Sequence, residues 1–140
     1  MQTIIIEGVP ISKHRPRFAR IGKGVRTYSD QGDDVCIVID EAKGQVETKL
    51  TCPLSVFCVF KMPRPKSHFG TGKNANILKK NAPHYHTTKP DIDNLVKFYL
   101  DCLNGIAWED DKQIIYIQAT KTYSEEPLTS VRIQEHGVQL

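Results

Sequence analysis

The stretch KPDIDNLVKFYLDCLNGIAWEDDKQ, Lys89 to Gln113, decides how the chain folds. Pro90 cannot continue a helix and biases Lys89 toward an extended backbone, so a helix is predicted to start just after it, with Asp91 as N-cap. Ile92, Leu95, Val96, Tyr99, Cys102 and Leu103 recur at three- and four-residue spacings and line one buried face, while Asp93, Lys97 and Asp101 stack four apart on another. Asn104-Gly105 stops the helix, with Gly105 suited to the left-handed position after the cap.

From Asp93 to Asn104 the helix axis rises roughly 17 Å, and the seven residues that follow, to Asp111, span about 23 Å when extended. If Ile106-Ala107-Trp108 packs as a returning strand, Glu109, Asp110 and Asp111 arrive beside Asp91 and Asp93. Two carboxylates about 4 Å apart repel by roughly 4 kcal/mol at an effective dielectric near 20, and Lys97 supplies only one compensating charge. An all-oxygen ligand set of this kind suits one or two Mg²⁺ ions, with Mn²⁺ as a substitute, and points to a metal-dependent phosphodiesterase. The same acids also fit a plainer arrangement of helix cap, i,i+4 ion pair and acidic surface turn.

The pattern D-x-D-N-L-x-K…D-x-L…W-x-D-D-x-Q, carried by Asp91, Asp93, Asn94, Leu95, Lys97, Asp101, Leu103, Trp108, Asp110, Asp111 and Gln113, resembles the core of the RusA-type Holliday junction resolvases. The resemblance implies a catalytic site of Asp91, Asp93, Asp111 and Lys97, with Mg²⁺ held by the three aspartates. One residue of register would exchange the roles of Asp110 and Asp111. It further implies a homodimer that makes paired nicks in branched DNA, since a two-fold dimer presents two identical sites to the two symmetric strands of a four-way junction. Two rival functions fit the same residues: a nuclease on other branched DNA such as flaps or forks, and a non-catalytic nucleic-acid-binding protein.

Charge is segregated along the chain. The net charge is only +3, yet Lys13, Arg15, Arg17, Arg20, Lys23 and Arg26 lie in an acid-free run over 9–27, and a second acid-free run over 61–90 holds Lys61, Arg64, Lys66, Lys73, Lys79, Lys80 and Lys89. Cationic segments around an acidic pocket suit a polyanionic substrate, and Lys13, Arg15, Arg17, Arg20, Lys73, Lys79, Lys80 and Lys89 are the expected DNA contacts. Lys13 to Phe18 also resembles the K-x-R-P-R-F segment near the start of many RusA-like proteins. His84-Tyr85-His86 lacks the further ligands of a metal site and suits phosphate or base-stacking contacts better.

At 140 residues, with 39% hydrophobic and 25% charged content, the chain is expected to be a single domain, 1–140, able to bury a core unaided. Cys36, Cys52, Cys58 and Cys102 fall at apolar positions without a C-x-x-C spacing, so buried thiols in a reducing, cytoplasmic compartment are expected. Met1 to Gly8 is too brief for a signal-peptide core, and no apolar run approaches the ~20 residues of a membrane span. Thr3–Gly8 reads as a strand, Ile11–Arg20 as an extended loop, 30–49 as a helix capped by Ser29, and Pro53–Met62 as a buried strand. Pro63–Lys89 follows as a long loop with a helical turn over Lys73–Lys80. Gln113–Thr122 reads as a strand covered on both faces, and Leu128–Glu135 as its hairpin partner. The result is an α+β fold, a mixed sheet with two helices on one face, which is also the fold that the resemblance implies.

Overall fold

The computed structural model describes residues 1–137. Its elements run β1 (Gln2–Glu7), β2 (Arg17–Ile21), β3 (Gly24–Tyr28), α1 (Gly32–Lys43), β4 (Leu54–Pro63), α2 (Ile92–Leu103), β5 (Ile114–Ser124) and β6 (Leu128–Glu135). The mixed sheet has four strands in the order β1-β6-β4-β5, and β2 and β3 form a separate two-stranded sheet. Only β4 and β5 run parallel, because α2 lies between them in the chain and carries it back to its starting end. Alternate residues of three strands build the covered face: Ile4 and Ile6, Leu54 through Met62 at every second position, and Thr129, Val131 and Ile133. The two helices close this face, α1 against β1 and α2 against β5, and they meet each other between.

α2 matches its sequence signals. Asp91 occupies the N-cap position with extended dihedrals, and Gly105 adopts φ +80° after the last turn. Phe98 and Leu100 join Leu95, Tyr99, Cys102 and Leu103 in the buried face, whereas Ile92 and Val96 border a cleft instead. α1 is shorter than expected. Gln31 stands at its N-cap, the Ser29 hydroxyl accepts the Gln31 N–H at 3.3 Å, and the helix ends at Lys43. Gln45 then turns to the outer edge of β1, where its side chain bonds both the N–H and the C=O of Ile5, each at 2.8 Å.

Several other expectations are corrected. Residues 17–28 form a hairpin, so the extended loop expected over Ile11–Arg20 gives way to a strand from Arg17 onward. β6 pairs with β1 and β4 but not with β5, and the 125–127 turn carries the chain past the end of β4. β5 is therefore an edge strand, and Ile115, Tyr116 and Ile117 are exposed rather than covered. The helical turns of the long loop lie at Lys66–His68 and Gly72–Asn74 instead of over Lys73–Lys80, and a bridge from Phe69 to Leu78 folds the loop onto itself. Gly70 sits at that fold, where a Cβ would come within 2.6 Å of the Asn74 Cβ. Cys58 and Cys102 are buried as expected, but Cys52 is half-buried and Cys36 is exposed on the outward side of α1. No helix among the described residues is long and apolar enough to cross a membrane.

Candidate active site

The acidic segment does not return as a strand. After α2 the chain makes a tight turn in which Ala107 N–H bonds Leu103 C=O at 2.9 Å and Gly105 N–H bonds Trp108 C=O at 2.8 Å. Trp108 is fully buried there, and Leu50 is bonded to Ala107 and Glu109 on either side of it. That turn consumes the length which an extended return would have used. Asp111 accordingly lines a cleft with Asp93, Lys97 and Asp101, floored by apolar atoms of α2 and β5. Asp91 opens on a neighbouring pocket with Lys13, Arg15, Lys89 and Asn94.

Asp110 and Asp111 are distinguished by their surroundings. The Asp110 carboxylate accepts the Lys112 N–H at 3.0 Å and caps the 3₁₀ turn Asp111–Gln113. That backbone hydrogen bond, with the Asp111 side chain second, holds its carboxyl below the usual carboxylate range. Asp111 is pushed the other way, first by its hydrogen bond with Asp110 and then by slight desolvation and the charges of Asp110 and Asp101. Asp110 is thus occupied in shaping the loop, and Asp111 faces the cleft.

Three glutamine and tyrosine contacts, none evident from spacing, position these parts. The Gln113 side chain accepts the N–H groups of Glu109 and Asp110 at 2.9 and 2.8 Å and donates to the C=O groups of Leu50 and Cys52, which pins the acidic loop to the segment before β4. Gln31, itself buried, accepts the His14 N–H and donates to Ser12 C=O at 2.8 Å. The buried Tyr99 hydroxyl accepts the Ile11 N–H at 2.9 Å, and Asn94 C=O accepts the Lys13 N–H at 3.0 Å. The basic loop is thereby held along α2, beside the acids. On the other side of the helix start, Lys121 Nζ bonds Thr88 C=O at 2.9 Å and Pro90 C=O at 2.6 Å, so it fixes the backbone from which Asp91 projects. The place of Gln113 in the D-D-x-Q pattern was the one available signal for any of these.

The expected DNA contacts divide into groups. Lys13, Arg15 and Lys89 border the pocket that holds Asp91, although the Lys13 ammonium is paired with Asp101. Arg17 and Arg20 lie on the hairpin, with Arg17 Nε 2.9 Å from Asp30. Lys73, Lys79 and Lys80 are exposed on the long loop and line neither of the two acidic pockets. His86 is buried against Tyr123, and burial, reinforced by the Lys121 charge, lowers its pKa. His68 and Arg64 pack on the same Tyr123 ring, while Tyr85 remains exposed.

Residues 7–134 match the family described as Endodeoxyribonuclease RusA. The chain belongs to this family. It is also 32% identical over 134 residues to a Bacillus subtilis (strain 168) protein named Uncharacterized protein YqaN, a match that covers 93% of each chain. Membership makes this chain one of a family of endodeoxyribonucleases and places nucleic-acid hydrolysis, rather than binding alone, as the chemistry to be accounted for by the cleft.

Among the described residues, no three His, Cys, Asp or Glu side chains are grouped closely enough to hold a metal ion by themselves. Mg²⁺ does not demand such a cage. It is held through one or two carboxylates, with waters and substrate phosphate completing its shell. The exposed oxygens of Asp93 and Asp111 on one cleft, with the charge around Asp111 uncompensated, fit that donor set in kind and in sign.

Proposed function

We propose that this chain is a structure-selective endodeoxyribonuclease that resolves Holliday junctions by paired, Mg²⁺-dependent phosphodiester hydrolysis in recombination and repair. Residues 1–140 act as one cytoplasmic endonuclease domain, as a homodimer. The observation that carries this reading is the cleft shared by Asp93, Lys97 and Asp111 beside the cationic loop of Lys13 and Arg15. A Mg²⁺ ion bound there supplies Lewis acidity toward water and the phosphate oxygens. Asp93 and Asp111 would hold it from the cleft, with waters and substrate phosphate, and Asp91 would act on the same ion from the adjoining pocket. Lys97, one helical turn beyond Asp93, stabilises negative charge on the phosphoryl oxygens as the bond breaks. Lys13, Arg15 and Lys89 grip the flanking phosphates, with the strand led across the start of α2.

A homodimer is supported by β5. Its outer edge lies open before Thr122, where a bridge to Tyr85 covers it, and the run from Gln113 to Thr120 carries exposed Ile115, Tyr116 and Ile117 with no charge. Edge strands without charges or coverage are suited to pairing with another chain.

The test is cleavage of a labelled four-way junction with Mg²⁺ beside EDTA, next to flap, fork and duplex substrates. Symmetric, metal-dependent nicks in the junction are expected. Preferential cutting of flaps or forks would replace the substrate, and metal-independent binding without scission would make the protein a binding module.

A further inference from the structure

The β2–β3 hairpin is the part of the molecule that folding explains least. Its strands pack chiefly on each other, and none of its residues is buried. A lone two-stranded hairpin is only marginally stable in water, yet this one exposes Phe18 at 72%, Val25 at 69%, Ile21 at 58% and Tyr28 at 44%. The pairing Phe18↔Thr27 and Arg20↔Val25 puts Phe18, Val25 and Arg20 on one face. Arg26 lies on the other face, and Lys23 sits in the turn at the tip. Arg17 is paired with Asp30 at the base, while Arg20, Lys23 and Arg26 meet no acid within the hairpin, which makes the rest of its surface cationic.

The base of the hairpin is fixed where the basic loop ends. Asp30 takes Arg17 Nε at 2.9 Å and His14 Nδ1 at 3.1 Å, and Gln31 clamps the backbone of His14. The arm therefore continues the phosphate-gripping surface of Lys13 and Arg15. A two-stranded ribbon is of a size that nucleic-acid grooves admit, and apolar side chains set among cations are the means by which proteins wedge into unstacked base steps.

We propose that the β2–β3 hairpin is a nucleic-acid arm whose Phe18 and Val25 stack on bases unpaired at a branch point, while Arg20, Lys23 and Arg26 hold the phosphates around them. This rests on the branched-DNA reading above and assigns that substrate a second contact, outside the carboxylate cleft. Charge decides the occupant: a second copy would bring the same cations face to face, whereas a polyanion neutralises them.

The experiment uses the full-length protein without metal, so that the DNA stays intact, and a four-way junction carrying 2-aminopurine at the branch point. Binding is expected to raise the probe's fluorescence by unstacking it, with no rise in a paired duplex of the same sequence. Phe18→Ser/Val25→Ser should lose most of that rise and bind the junction about tenfold more weakly, the loss of roughly one base stack, while duplex affinity stays within about twofold. Arg20→Gln/Arg26→Gln should weaken both DNAs and flatten the salt dependence by about 0.9 in slope for each phosphate no longer neutralised. Unfolding midpoints within about 2 °C of the parent establish that both variants fold. Absence of a rise with the parent protein, or an apolar double variant that keeps both the rise and the affinity, overturns the proposal. So does a change in the monomer–dimer balance in place of a change in DNA binding. If the parent binds and unstacks the junction but does not cut it when Mg²⁺ is added, the nuclease reading fails and the arm stands.

Discussion

Tyr99→Phe isolates the bond that fastens the basic loop to α2. The ring is buried against Phe60 and Phe98, at centroid distances of 5.8 and 5.1 Å, so phenylalanine keeps the packing and removes only the hydroxyl. The Ile11 N–H, donated at 2.9 Å, then loses its acceptor. An unpaired buried donor costs about 1–3 kcal/mol, and because Ile11 is only half-buried the lower part of that range applies, about 1–1.5 kcal/mol. For a chain of this size that lowers the midpoint of thermal unfolding by about 3–5 °C. The Gln31 and Asn94 contacts still hold the next residues of the loop. Junction affinity should therefore fall by no more than about tenfold, the equivalent of 1.4 kcal/mol, and the cleavage rate at saturating enzyme should not change. Scanning calorimetry and a junction titration on the same preparation read both quantities. An unchanged midpoint would mean that the bond does not hold the loop, and a slower saturated rate would mean that Tyr99 supports the chemistry instead.

Asp93→Asn should abolish scission while junction affinity, measured on the same labelled DNA, is kept or improved, since a ligand charge and a repulsion of phosphate are removed together. Lys97→Ala should lower the single-turnover rate far more than the affinity, with exposed Lys49→Ala as the control; a pure affinity loss would make Lys97 a tether. Asp111 acts ionised, and its hydrogen bond with Asp110 keeps its pKa raised, so activity should fall as the pH drops through that raised value. Asp110→Asn removes the neighbouring charge and should move this acid limb of the pH–rate profile to lower pH. With burial pushing the Cys58 and Cys102 thiols up to about 12 and about 11, a thiol reagent should label Cys36 in the native protein and reach those two only on unfolding.

Local signals carried the parts of this structure that depend on local physics. Helix α2 was legible from end to end because its start, period and stop are written in neighbouring residues, Pro90, the three- and four-residue apolar spacing, and Gly105. The segment after it was misread because its path is set by Leu50, far away in the chain, which holds the Trp108 turn from both sides. Strand order failed for the same reason. Nothing near Leu128 says that β4 is to be crossed, and β6 is central because it pairs with β1 and β4, strands more than sixty residues away in the chain. The hairpin escaped notice because its alternation of Arg with Phe, Ile and Val has no buried face, and a buried face is what strand patterns report. The carboxylates and Lys97 were legible as a motif. The glutamines that orient their loops act on backbone groups up to 63 residues away and leave no periodic trace.

The side chain of Gln45 bears on how many molecules can join. By filling the outward N–H and C=O of Ile5, one amide group imitates at the middle of β1 the strand that this edge lacks and obstructs another chain from adding there. Among the described residues, β5 has no such plug between Gln113 and the bridge at Thr122. A sheet that is receptive at both edges has a valence of two and can polymerise without limit. With one edge stoppered the valence is one, and in the homodimer proposed above a two-fold contact between two β5 edges would use up both. In that arrangement Gln45 would act as a chain terminator, and its loss would open a route from a closed pair to a fibre.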